Sequence, residues 1–228
     1  MKTAVLFSGC GVYDGTEIHE SVLTLLALSQ KGIEYICVSP DINQTHVINH
    51  INGEEMCEER NTLYESARIT RGDIISLDSL NMDDISSLVI PGGFGVAKNL
   101  STWAFEDLDS TLNYKVKKLI LHCLELNKPI VSLCISPILI AKVLEEKNIN
   151  PKLTLGNCLN DSKYNIEDLH NSISKLNATP IEIDISDICV DEDLKIISAP
   201  CYMMDVKIDE VYKNITIAID RLAKYLNK

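Results

Sequence analysis

The sequence predicts an α/β protein with a mostly parallel central sheet, on three observations. Apolar runs rich in β-branched residues, at 3–8, 33–39 and 85–90 and again directly after Pro129, have the length and continuity of strands buried on both faces. Helical periodicity over 17–31 lies between the first two runs, and strand, helix and strand in about 38 residues make a right-handed crossover unit. At 128–142 a strand passes into an apolar helix with almost no connecting residues, because Pro137 is tolerated only in a first helical turn.

Cys134 sits at that bend. A thiol there lies at the carboxyl end of a strand, where open α/β sheets bind ligands, and beside a helix N-terminus whose dipole favours thiolate. The arrangement is a nucleophile elbow with Cys in place of Ser; a buried core cysteine is the plainer alternative.

Composition narrows the setting. The chain has 228 residues, 46% hydrophobic and 24% charged, enough for a single α/β domain spanning 1–228 with a substantial core. Net charge is −12 and no Lys/Arg cluster occurs, which argues against nucleic acid. The first apolar run is too short for a signal peptide, and 129–141 is too short to span a bilayer. A soluble cytoplasmic protein without membrane contact is expected. Its eight cysteines include no Cys-x-x-Cys pair, so most are expected to be reduced.

In chain order, the loop after the first strand is Ser8-Gly9-Cys10-Gly11-Val12-Tyr13-Asp14-Gly15-Thr16, with Thr16 as the expected N-cap and Gly32 as the stop of the first helix. The loop fails as a dinucleotide turn, although Asp41 follows the second strand. Its third glycine comes one position late, and Glu17 and Glu20 crowd the helix end that a pyrophosphate would need. From 41 to 80 the chain is polar, with a hairpin at Asn52-Gly53 and a helix over 58–67. His46 and His50 share an i, i+4 spacing with no helix and no third ligand, so no metal is expected there. Pro91-Gly92-Gly93-Phe94-Gly95 closes the strand at 85–90, and its glycines can aim N–H groups into a crevice as an anion or oxyanion cradle. Helices are expected over 112–127, 166–176 and 208–226, strands over 153–156 and 181–185, and a hairpin over 188–198.

Several of these motifs together are similar to the ElbB family, the enhancing-lycopene-biosynthesis or isoprenoid-biosynthesis glyoxalase-like proteins of the PfpI/ThiJ, class I glutamine amidotransferase-like superfamily. The residues that carry the resemblance are the 8–15 loop with Glu17-Ile18-His19-Glu20, the segment 61–72, Pro91-Gly92-Gly93-Phe94-Gly95-x-Ala97-Lys98-Asn99-Leu100, Cys134-Ile135-x-Pro137 and Pro200-x-Tyr202-Met203. The resemblance runs over essentially the whole chain. It implies a flavodoxin-like three-layer sandwich, a reactive elbow cysteine at Cys134, an acidic partner from the first βα unit, a homodimer, and glyoxalase activity without glutathione, metal or other cofactor. Counting back from Gly32 as the superfamily pattern does gives Glu20 as the partner, with Glu17 on roughly the same helical face. Hydrolytic members carry His directly after the nucleophile, where this chain has Ile135. A Cys-His-Glu triad is therefore not local, and only His122 or His170 could replace its base.

Two functions from different classes follow. In the first, Cys134 adds to the aldehyde of glyoxal or methylglyoxal, with N–H groups of Gly92, Gly93 and Ile135 around the oxyanion. Glu20, kept protonated by burial, shuttles protons, and Cys10, Gly11, Phe94 and Tyr202 are candidates to line the pocket. In the second, Cys134 is the oxidisable thiol of a redox-sensing or regulatory binding protein with little turnover.

Overall fold

The computed structural model describes residues 1–227. Its elements are, in order, β1 (Lys2–Leu6), α1 (Ile18–Gln30), β2 (Tyr35–Ser39), α2 (Thr62–Thr70), β3 (Ile75–Ser76), β4 (Ile85–Ile90), α3 (Phe94–Lys98), α4 (Trp103–Glu106) and α5 (Tyr114–Glu125). Then come β5 (Ile130–Leu133), α6 (Pro137–Glu145), β6 (Lys152–Leu153), α7 (Ile166–Lys175), β7 (Thr179–Pro180), β8 (Cys189–Asp191), β9 (Ile196–Ala199) and α8 (Ile208–Leu226).

Seven strands form the main sheet in the order β3-β2-β1-β4-β5-β9-β8, parallel except for β8, which runs antiparallel to β9. Alternation along each buried strand sends its apolar side chains to two cores. Ala4, Leu6, Leu88 and Ile90 join Leu119, Ile120, Ile138 and Leu139 beneath α5 and α6. Val5, Phe7, Val89 and Val131 face the other way, onto Ala27 and Leu28 of α1 and Ile215 and Ile219 of α8. The result is the expected three-layer, flavodoxin-like sandwich.

The strand order reverses between β1 and β4, and a crevice opens where their carboxyl ends diverge. Three loops meet there: residues 7–17 after β1, 91–93 after β4 and 134–136 after β5. Asn99, the C-cap of α3, fixes the first of these. Its amide donates to the Ser8 and Asp14 carbonyls at 2.9 and 2.8 Å, and its oxygen accepts from the Thr45 N–H at 3.0 Å.

Several expectations need correction. Glu17, not Thr16, caps α1: its carboxylate accepts from the Glu20 N–H, while the Thr16 hydroxyl is taken by the Ser8 N–H at 2.6 Å. The helix expected over 58–67 forms as α2 over 62–70, because Asn61 supplies the cap by accepting from the Leu63 and Tyr64 N–H groups. The short edge strand β3 lies in a stretch read only as polar. The strand expected over 153–156 shrinks to β6, which pairs with β7 in a separate two-stranded sheet. Residues 181–185 form no strand. Ile181 and Ile183 still donate to Leu153 and Gly156, but the side chains of Glu182 and Asp184 turn to partners in the 157–160 loop.

Asn99 ties together three otherwise unpaired backbone groups in a buried setting. Asn99→Ala is expected to lower unfolding stability by about 2–4 kcal/mol in denaturant titrations.

Candidate active site

Strand β5 stops at Leu133 and the chain reverses into α6 within three residues. Cys134 takes φ 56°, the left-handed region that an L residue occupies only when its surroundings hold it there. Four hydrogen bonds do so. The Cys134 N–H donates to the Ala199 carbonyl at 2.9 Å and the Ser136 N–H to the Leu133 carbonyl at 2.9 Å. The Ser136 hydroxyl donates to the Ile90 carbonyl at 2.8 Å and lies 2.8 Å from the Ser132 hydroxyl. The elbow is thereby pinned to the end of β4.

Gly92, at that end, has the closest neighbours. Its N–H donates to Glu20 Oε2 at 2.8 Å, and its carbonyl accepts from the Glu17 N–H at 2.9 Å. A Cβ on Gly92 would fall 2.5 Å from Cys134 Cβ and 2.9 Å from its Sγ, so only glycine fits. Glu20 is fully buried; its Oε1 accepts from the Tyr202 N–H at 3.2 Å, and its carboxyl is hydrogen-bonded to the Cys134 thiol. Of the two acids, Glu20 is the one on the sulfur. Glu17 caps the helix, accepting from the Glu20 N–H at 2.6 Å, and also faces the cavity.

Burial sets the electrostatics. It pushes the Cys134 thiol well above the ordinary range, with the Glu20 charge adding to the effect. This corrects the expectation of a resting thiolate, since removal from water outweighs a helix dipole. Burial, and then the negative charge of Glu17, raises Glu20 to about 8 against the pull of the Gly92 and Tyr202 N–H groups. At neutral pH the pair therefore rests as thiol and carboxylic acid. A second cysteine adjoins it. Cys201 is fully buried, has φ 46°, and donates from its N–H to Asn214 Oδ1 at 3.0 Å.

A cavity of about 340 Å³ opens over Cys134. Its polar face includes Glu17, Gly93 and Ile135, and its apolar walls include Phe94, Trp103, Tyr164 and Leu169. The N–H groups of Gly93 and Ile135 have no acceptor among the described residues. Gly93 has φ 98°, and a Cβ there would meet the Glu17 nitrogen at 2.4 Å. Gly92 does not share their position, because its N–H is already bound to Glu20.

Phe94 and Tyr202 line this cavity as expected, and the Tyr202 hydroxyl lies 2.9 Å from His19 Nδ1. Cys10 and Gly11 do not. Cys10 lies among the charges of Glu65, Arg68 and Asp14, and Gly11 faces His50 and Asp14, on the far side of the 8–15 loop. His46 packs edge-on to Phe105, and His50 accepts from the Tyr13 N–H. His122 is bonded to Lys128 and His170 is packed away from the cavity, so neither completes a triad. Sequence reasoning missed Val12, Trp103, Tyr164, Leu169 and Cys201. Trp103, the sole tryptophan, was the one with a compositional signal.

No family model matches the chain. It is 35% identical to human "Glutamine amidotransferase-like class 1 domain-containing protein 3, mitochondrial" over 100% of this chain and 84% of that protein. It is 34% identical to rat "ES1 protein homolog, mitochondrial" over 100% of this chain and 85% of that one. Among solved structures it is similar to an Ehrlichia chaffeensis isoprenoid biosynthesis protein with an amidotransferase-like domain, with TM-score 0.89, 31% identity, and coverage of 99% of this chain and 100% of that one. DJ-1, ThiJ and PfpI-type structures at 12–16% identity share the fold alone.

The raised Glu20 carboxyl gives stability a pH dependence. The folded protein keeps a proton that the unfolded chain gives up near the ordinary value of 4.5, so this contribution is complete below that pH and is lost as pH rises through about 8. Melting temperature is expected to fall between pH 5.5 and 9. The fall should be shallower in Glu20→Gln, with the raised Glu17 supplying what remains.

Proposed function

The chain belongs to the ES1 and glutamine amidotransferase-like class 1 domain family, and we propose that within it this protein is a cofactor-free glyoxalase-type enzyme for small α-oxoaldehydes. One observation carries the reading. The Cys134 thiol and two N–H groups without acceptors line the cavity, the protonatable Glu20 carboxyl is hydrogen-bonded to that thiol from the protein interior, and no histidine among the described residues lines the site. Amide hydrolysis needs an acid for a leaving nitrogen, whereas addition to an aldehyde expels nothing.

In the proposed sequence, Glu20 as carboxylate takes the Cys134 proton, and the sulfur adds to the aldehyde carbon. The former carbonyl oxygen becomes the hemithioacetal oxygen, held by the N–H groups of Gly93 and Ile135. Glu20 returns the thiol proton to that oxygen, takes the C–H proton to form an enediol and delivers it to the neighbouring carbon. The first oxygen's proton passes to the second oxygen, so that one carbon is oxidised to a thioester and the other reduced to a carbinol. Water cleaves the thioester and restores the thiol, turning glyoxal into glycolate and methylglyoxal into lactate. The ring-lined wall of Phe94, Trp103 and Tyr164 suits a substituent larger than hydrogen, which favours aryl or branched α-oxoaldehydes over glyoxal itself.

The resemblance to the ElbB family, and the name of the Ehrlichia protein, support a setting in isoprenoid biosynthesis. Both mammalian relatives are named mitochondrial. No helix among the described residues is long and apolar enough to cross a membrane, and all eight cysteines are free thiols. The resemblance to the ElbB family supports a homodimer, and we propose a cytoplasmic setting for this chain, in contrast to the names of the mammalian relatives.

A second reading is favoured by Cys201. Peroxide would convert Cys134 to a sulfenic acid with release of water, and the neighbouring Cys201 thiol would condense with it to a disulfide, releasing a second water.

Consumption of glyoxal, methylglyoxal and phenylglyoxal by metal-free protein, without glutathione, separates the two. Turnover is expected to be highest for phenylglyoxal, to fall at least about 1,000-fold in Cys134→Ser, and to fall about 100-fold or more in Glu20→Gln. Negligible turnover in the native protein, with stoichiometric oxidation of Cys134, would favour the second reading. The kcat/KM profile should rise with pH as Glu20 loses its proton near 8.

A further inference from the structure

A second constellation lies outside the cavity, in the segment that builds one of its walls. Cys158 follows β6, His170 is on α7, and Glu182 follows β7. One ligand atom of each lies within 4.8 Å of the other two. We propose that Cys158, His170 and Glu182 form a zinc site that clamps this segment.

Two independent features support the site. His170 is 7% exposed, and its Nε2 is enclosed without a hydrogen-bond partner, an unusual state for a buried imidazole. Secondly, Cys158 and Glu182 already approach each other: the Glu182 carboxylate accepts from the Cys158 N–H at 3.1 Å and interacts with its thiol. Glu167, one turn before His170 on α7, adds negative charge that acts on Cys158. A thiolate, an imidazole and a carboxylate suit Zn²⁺, whereas Mg²⁺ and Ca²⁺ prefer oxygen throughout. Cys158 and Glu182 are exposed, which leaves a fourth tetrahedral position open to water. On binding, the Cys158 thiol gives its proton to solvent and a sulfur–zinc bond forms, with no change in oxidation state.

The site joins three stretches with little regular strand pairing. β6 and β7 pair over only two residues each in a sheet of their own. The β6 region reaches the main sheet through side chains, the Lys152 N–H donating to Asp191 and the Thr154 N–H to the Ser198 hydroxyl, both at 2.9 Å. Leu169, next to His170, and Tyr164, between Cys158 and α7, both line the cavity over Cys134. A metal joining the three stretches would therefore fix the position of that wall. Binding itself is independent of whether Cys134 turns over aldehydes.

The test is binding by the full chain after chelator treatment and dialysis. Zn²⁺ is titrated in competition with a chromogenic chelator, and Co²⁺ replaces it for spectroscopy. One equivalent of zinc is expected, with sulfur-to-cobalt charge-transfer absorption. Cys158→Ser should abolish the charge-transfer band, and Cys158→Ser and Glu182→Gln, both at exposed positions, should each weaken zinc binding at least about tenfold with far-ultraviolet circular dichroism unchanged. Cys134→Ser should bind zinc as the native protein does. His170→Gln adds a third arm that the exposed variants make dispensable if it misfolds. Absence of a stoichiometric site, or native affinity in both Cys158→Ser and Glu182→Gln, would overturn the proposal.

Discussion

Everything at the elbow depends on the close approach of Gly92 to Cys134. One residue without a side chain binds the Glu20 carboxyl through its N–H, anchors the start of α1 through its carbonyl, and leaves room for a sulfur where any Cβ would collide. Parallel pairing of β4 with β5, with Ile90 opposite Ser132, brings the two strand ends to the same height. The Ser136 hydroxyl bonded to the Ile90 carbonyl then locks the turn against that end. The left-handed backbone at Cys134 is maintained by these bonds, and its strain is offset by packing on both sides of the sheet.

Burial at this point has an electrostatic consequence. A carboxyl and a thiol placed together out of water resist ionisation, and each resists it more when the other is charged. The pair therefore keeps both protons at neutral pH, and Glu20 gives its proton up near pH 8. Two N–H groups without acceptors among the described residues, on Gly93 and Ile135, line the cavity beside Cys134. A low resting reactivity of the thiol toward indiscriminate electrophiles comes from the same burial.

The cavity itself is a composite. The sandwich supplies Cys134, Glu17 and Gly93, whose positions follow from strand ends and a helix cap. The outer wall comes from short elements with little regular pairing: α4, the 157–165 loop and α7. Such segments are the natural place for substrate selection to vary and for an added ligand to impose order.

The sequence by itself determined the layered α/β architecture, since continuous β-branched runs alternating with helical periods admit few other arrangements. It also determined the elbow at Cys134, because Pro137 forces a helix to begin directly after the strand, and the C-terminal helix, found over 208–226 as its periodicity required. The glycines after β4 were legible as a close approach, though not as an approach to Cys134. The superfamily count from Gly32 points to Glu20 as the partner of the sulfur; the tertiary structure supplied the physical reason, because Glu17 and Glu20 share a helical face and the position of Gly92 separates a cap from a partner. It alone decided the protonation of the pair, since a dipole is visible in local sequence while the depth of burial is not. It also decided the companions of Cys158, His170 and Cys201, each brought beside residues more than ten positions away by strand order and loop path. Local periodicity fixes elements; where their ends meet depends on packing between segments that carry no local record of one another.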